Sequence, residues 1–332
     1  MPIVQQGSTT AAGTVSSQGI AVDSLISRFS RECADKPPDG YLALRWLEDR
    51  YRQVWNAMDW SFATSDAIVQ TVAQITSGTV TVTNASTTVS ETTTNANGWS
   101  VDVEGRYFRA TGDNEFYKIS GFTNGTPDTL TLDRGYEGST VTEKGYRIFQ
   151  NIYSLTTNMG KIQWFVDLYT GAELEQVSQI WLDEAFPNRA GHSTQSEYWA
   201  PAGRDANDIY QVELYPIPTE LHGIKYRFIE EAPYLTAGGQ KLVPQVSESL
   251  LRHGWKADYW SWRSGMDDAN GQEINWAARE ELLFTKELSE MAVKEAQNQP
   301  LQKIRLARRY VRHRGVRNYP YRYSHSDTEM GL

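Results

Sequence analysis

The chain has 332 residues, a formal net charge of −9, 39% hydrophobic and 12% aromatic residues, and one cysteine. That length leaves room for two domains, and the composition is too apolar for a disordered chain. A lone cysteine excludes a disulfide framework or a CxxC metal knot, and no apolar run approaches a membrane span.

Residues 1–18 are small and polar and read as a flexible N-terminal arm, without the basic and apolar regions of a signal peptide. Val22, Leu25, Ile26, Phe29 and Cys33 fall at helical spacing and predict an amphipathic helix over 20–34. The breaker "DKPPDG" follows, and Asp39 can cap a second helix over 40–58, marked by Leu44, Leu47, Tyr51, Val54 and Met58. The short link suggests an antiparallel helix pair.

Composition changes near residue 64. Fifteen of the residues from Thr64 to Thr94 are Ser or Thr and none is basic. "GTVTVTNASTTVSE", "DTLTLDRGYEGSTV" and "GYRIFQNIYSL" alternate as strands do, and Asn97-Gly98 and Asn124-Gly125 offer hairpin turns. Helical character returns at 172–184. "IYQVELYPIP" and "GIKYRFIEEAP" predict a β-hairpin near 209–231. Leu251, Trp255, Tyr259 and Trp262 mark a helix over 245–263. Ile274, Ala277, Phe284, Leu288 and Met291 mark a long one over 271–297, its stripe interrupted by Glu281 and its exposed side carrying a Glu290/Lys294 pair.

The expected architecture is α+β. A helical bundle, built from the N-terminal helix pair (19–63) and the long C-terminal helices (156–300), carries an inserted all-β module (64–155). A basic C-terminal arm (301–332) extends from it.

No catalytic constellation stands out. The five histidines lack metal-ligand spacing, and no nucleophile elbow or phosphate loop is present. Neither a metal nor a cofactor is expected. Cys33 sits on an apolar helix face and reads as a structural thiol. "TGDNEFY" at 111–117 lacks the spacing of a calcium loop. The paired acids Glu230/Glu231, Asp267/Asp268 and Glu280/Glu281 point apart instead of facing across a cleft.

The unusual feature is "RLARRYVRHRGVRNYPYRY" at 305–323. Residues 301–332 carry net +6, so the rest carries −15. An acidic body repels DNA phosphates. The charge of the arm rests on Arg305, Arg308, Arg309, Arg312, Arg314, Arg317 and Arg322, interleaved with Tyr310, Tyr319, Tyr321 and Tyr323. Arginine with tyrosine is the composition of protein-interface hot spots.

Taken in order, "TLTLDRGYEGSTVTEKGYRIFQNIYSL", "VELYPIPTELHGIKYRFIEEAPYL" and "ESLLRHGWKADYW" resemble the head-to-tail adaptor (connector) proteins of tailed bacteriophages over about 20–300. Gly135 stands where that family often has proline. The resemblance implies a non-enzymatic virion protein of the neck, assembled in the host cytoplasm as a homo-oligomeric ring, usually of twelve copies. It implies a portal ring above, gripped by the C-terminal arm, and a downstream tail protein below. Leu251, Trp255, Tyr259, Trp262, Phe284 and Leu288 would lie on the ring-body helices, and DNA would pass through the channel without sequence-specific binding. Two other readings stand beside it: a receptor- or glycan-binding tail component acting through the β module, where Trp99, Tyr107 and Tyr136 could hold a sugar, and a nucleic-acid binder acting through 301–323.

Overall fold

The computed structural model describes residues 19–33, 36–92, 98–236, 240–266 and 271–298. Helices α1 (Val22–Glu32) and α2 (Gly40–Asn56) come first, followed by β1 (Thr64–Gln70), β2 (Val80–Val82), β3 (Thr88–Glu91), β4 (Tyr107–Ala110), β5 (Tyr117–Thr123) and β6 (Thr129–Leu132). Then come β7 (Val141–Lys144), β8 (Tyr146–Phe149), β9 (Ile152–Ser154), β10 (Met159–Asp167), β11 (Glu173–Gln176) and α3 (Gln179–Ala185). The chain continues through β12 (His192–Ser193), β13 (Tyr198–Arg204), β14 (Tyr210–Tyr215), β15 (Ile217–Pro218) and β16 (Gly223–Glu230), then α4 (Glu248–Ser264) and α5 (Glu273–Asn298). Among the described residues no helix is long and apolar enough to cross a membrane.

The first sheet has the order β7-β2-β3-β6-β5-β4-β8. Its strands follow the alternation in the sequence. Val80 and Val82, Val89, and Leu130 and Leu132 turn inward, while the intervening Thr81, Ser90 and Thr131 do not reach the core. With Phe108, Tyr117, Ile119, Tyr146 and Ile148 the inward residues build one core. Asn124 and Gly125 lie in the β5–β6 connection, as the turn signal predicts. Gly135 has a local reason: a Cβ there would lie 2.9 Å from the carbonyl oxygen of Ala85, so proline does not fit.

The second sheet has the order β1-β16-β10-β11-β13-β14-β9, antiparallel except for β11 with β13. Its core stacks Phe165 on Tyr226 and packs it against Trp199, with Leu214, Ile224 and Phe228 around them. A smaller core of Phe149, Leu182, Ala200, Tyr215 and Ile217 draws on both sheets and α3, and joins them.

This architecture corrects the expected helical bundle with an inserted β module. Among the described residues the chain forms two curled seven-stranded sheets, a two-stranded one and five α-helices, and the helices do not make a bundle that carries the strands as an insertion. β1 and β9, at the two ends of the 64–155 segment, pair with β16 and β14 in the second sheet. The Ser/Thr-rich segment therefore shares its backbone hydrogen bonds with the following half of the chain. The helices do not close a core alone either: α1, α2, α4 and α5 bury their faces together with Ile229, Ala232, Leu235, Leu242 and Val246. They form a layer at one end of the second sheet.

Three local expectations also change. β14 and β16 both form, but three strands lie between them, so the hairpin near 209–231 is absent. The "PIPTELHG" linker instead contributes β15, which pairs in parallel with β12. At 172–184 a strand, β11, precedes a single short helix, α3, capped by the Ser178 hydroxyl accepting from the Trp181 amide. Asp39 stands at the N-cap of α2, but its side chain makes no capping hydrogen bond.

Candidate functional site

The predicted ring-body residues come together, and they face inward. Leu251, Trp255 and Tyr259 of α4 and Phe284 of α5 are fully buried in the helical core, and Trp262 and Leu288 pack against its rim. Trp255 is the hub. Its ring lies parallel to that of Tyr259 and meets Phe29 of α1 and Trp46 of α2, and its Nε1 donates to the Ala43 carbonyl at 2.9 Å. These side chains hold the helical layer of one chain together.

Glu281, which breaks the apolar stripe of α5, has a partner. Arg50 of α2 reaches between α4 and α5, donating to Asp258 at 2.7 and 2.8 Å and to Glu281 at 3.1 Å, with its guanidinium over the Phe284 ring. Gly254 makes room for this. A Cβ there would lie 2.9 Å from both Arg50 Cδ and Phe284 Cδ2. Burial opposes the Arg50 charge, but the hydrogen bonds with Asp258 and Glu281 outweigh it and hold its proton more tightly than usual. For Asp258 burial wins, and its carboxyl sits above the ordinary range despite Arg50. Further along, His253 Nδ1 lies 2.5 Å from Glu280 and the Ser249 hydroxyl donates to Glu287 at 2.9 Å, so α4 and α5 are joined by polar contacts beside the apolar core.

The other side of α5 is bare. Ala278, Leu282, Thr285, Ser289, Val293 and Ala296 follow one another at three- and four-residue steps and are all exposed. Leu282 is 70% and Val293 56% exposed, three turns apart on one face. Ile274, expected on the core stripe, is 63% exposed, because the core contacts of α5 centre on Phe284, Leu288 and Met291. Glu290 pairs with Lys286 at 4.0 Å, on its N-terminal side. A 26-residue helix thus buries one stripe and presents a second, made of small residues with Leu282 and Val293 as its large apolar side chains.

Other candidates resolve into structure. Trp99 is buried and donates to Tyr146, Tyr136 is buried and donates to Asp113, and Tyr107 lies between Phe116 and Phe149. None of the three presents a ring face for a sugar. Asp113 of the "TGDNEFY" loop also accepts from Lys144 at 3.4 Å. Cys33 is buried, and desolvation pushes its thiol up to about 11, the wrong direction for a nucleophile. Among the described residues no group of three or more His, Cys, Asp or Glu side chains is placed to hold a metal ion. The C-terminal arm residues, Arg305 through Tyr323, lie outside the described residues.

Two polar features at the joint between the sheets escape a local reading of the sequence. Arg189, a non-glycine residue with φ of +44°, donates to the buried Glu213 of β14 at 2.7 Å and to the carbonyls of Leu182 in α3 and Phe186 at its C-cap at 2.6 and 2.7 Å. Beside it, Arg109, Arg147 and His192 line a cleft of about 190 Å³. These residues are separated in the chain by tens of positions and carry no motif spacing.

In comparison with known proteins, no family model matches the chain, and no curated protein matches its sequence.

Proposed function

We propose that this protein is a structural assembly component of a tailed-bacteriophage virion, a head-to-tail adaptor that self-associates into a ring between portal and tail. The observation that carries the reading is the second stripe of α5. A long helix anchored on one side by Phe284, Leu288 and Met291 leaves Leu282 and Val293 outward on the other. That stripe fits the body of a neighbouring copy, because small residues let backbones approach and two apolar side chains supply burial. The charge balance agrees. A body of net −15 suits a conduit through which DNA passes without sticking, and an arm of net +6 suits docking to an acidic partner ring. Contacts that are individually modest become strong when repeated around a ring.

The test is the state of the purified full-length chain, alone and mixed with portal rings, by mass photometry and negative-stain microscopy. A high-order ring is the expected result. Leu282→Glu combined with Val293→Glu should abolish ring formation while leaving the thermal midpoint of the monomer unchanged, since both side chains are exposed. A second pair, Arg308→Glu with Arg312→Glu, should preserve the ring and weaken its hold on the portal by at least tenfold. A chain that stays monomeric and never binds portal rings refutes the adaptor reading.

A further inference from the structure

The joint between the two sheets holds positive charge that the fold does not neutralise. Arg109 on β4 and Arg147 on β8 are direct cross-strand partners in an antiparallel ladder, so both side chains leave the same face. Like charges directly opposite one another disfavour the pairing. His192 of β12 closes the same cleft from the second half of the chain, together with Ala190 and Thr111. No carboxylate lines it. Glu115, whose charge acts on Arg109, is already paired with Arg134 at 2.9 Å.

The donors are partly committed, and what remains unpaired is informative. Arg109 is only 8% exposed, and its terminal nitrogens donate to the carbonyls of Asn188 and Arg189. Its Nε is buried without a partner. Gln74 Nε2 donates to the Pro218 carbonyl at 3.2 Å and lies 2.6 Å from His192 Nδ1. Nδ1 therefore accepts, and the ring proton sits on Nε2. That Nε2–H is buried and has no acceptor. The Arg147 side chain has no hydrogen-bond or ion-pair partner among the described residues. Buried donors without acceptors are rare in folded proteins, and here two of them border the same cleft as a free guanidinium.

We propose that this cleft is a binding site for a small oxyanion of phosphate or sulfate size. An anion seated between Arg147 and His192 accepts from a guanidinium fork and from an imidazole N–H, and its charge offsets the repulsion across the β4–β8 pair. A volume of about 190 Å³ accommodates four oxygens and some of their water, at roughly 30 Å³ per liquid water. Because Arg109 also holds the 188–189 backbone, the bound anion stabilises the seam between the two sheets. The site is independent of the assembly reading, since it uses no residue of α5 or of the arm.

The experiment compares thermal unfolding of the full chain in inorganic phosphate, in sulfate and in chloride at matched ionic strength. Phosphate at ten times its Kd should raise Tm by about 2 °C for a chain of this size. Isothermal titration with phosphate should give one site per chain. Arg147→Gln removes a side chain that holds nothing else, so it should fold normally and lose the phosphate shift. In low-salt chloride its Tm should equal or exceed that of the wild type, because the Arg–Arg repulsion is gone. Equal midpoints in phosphate and chloride overturn the site, as does an absence of titration heat or a full shift retained by Arg147→Gln.

Discussion

Glu213→Ala should destabilise the fold by about 3 kcal/mol in urea unfolding followed by far-UV circular dichroism. The carboxylate lies on the buried strand β14, with its side chain 7% exposed, and accepts from Arg189 at 2.7 Å and Asn151 at 2.9 Å. Removing it leaves the Arg189 guanidinium, itself 6% exposed, without its main buried counter-charge. Loss of one partner from a buried pair costs about 3–5 kcal/mol. The low end applies because the carbonyls of Leu182 and Phe186 and the carboxylate of Asp183 still accept from Arg189. Glu213→Gln keeps an acceptor for Arg189 and should cost less than half as much. Equal losses for Ala and Gln would show that charge alone matters; a loss below about 1 kcal/mol for Ala, the range of exposed pairs, would show that the buried pair is not a main tie of the joint.

Trp255→Ala should cost more, about 3–5 kcal/mol, by the same measurement. The indole is fully buried and touches side chains of α1, α2 and its own helix. Its removal opens a cavity where three helices meet, and it also deletes the hydrogen bond to Ala43. Trp262→Ala, at the rim of the same core, should cost clearly less. The loss should not depend on protein concentration, because the contacts of Trp255 are made within one chain. A loss that shrinks as concentration rises would instead place this residue at a contact between copies.

The helices were readable because their information is local. α1, α2, α4 and α5 appear close to where Phe29, Tyr51, Trp255 and Phe284 mark a 3.6-residue period. The strands of the first sheet were readable for the same reason, through the valine–threonine alternation of β2 and β3. The second sheet was not. Its edge strand β1 pairs with β16, about 160 residues away, and no period in either strand encodes the partner. "VELYPIPTELHGIKYRF" has the texture of a hairpin, yet its two strands sit apart because β10, β11 and β13 occupy the space between them. Glu281 breaks the stripe in sequence, and its partner Arg50, which enters beside Gly254, comes from a helix more than 200 residues earlier. The cleft at Arg109, Arg147 and His192 is legible only in three dimensions, since strand register and a distant loop bring its members together.

The helical layer is assembled from the two ends of the described chain, and this imposes an order in time. α1 and α2 leave the ribosome before α4, and Trp255, the ring on which both close, follows roughly 200 residues behind the end of α2. At 5–20 residues per second, synthesis takes on the order of 10–40 s to reach it. During that interval Phe29 and Trp46 lack the Trp255 ring they pack against, while the first sheet, complete by Phe149, already has its own partners. The nascent chain therefore carries a finished β unit behind an unfinished apolar helix pair. Chaperone capture during translation should map to residues 22–56 and end once α4 has cleared the exit tunnel.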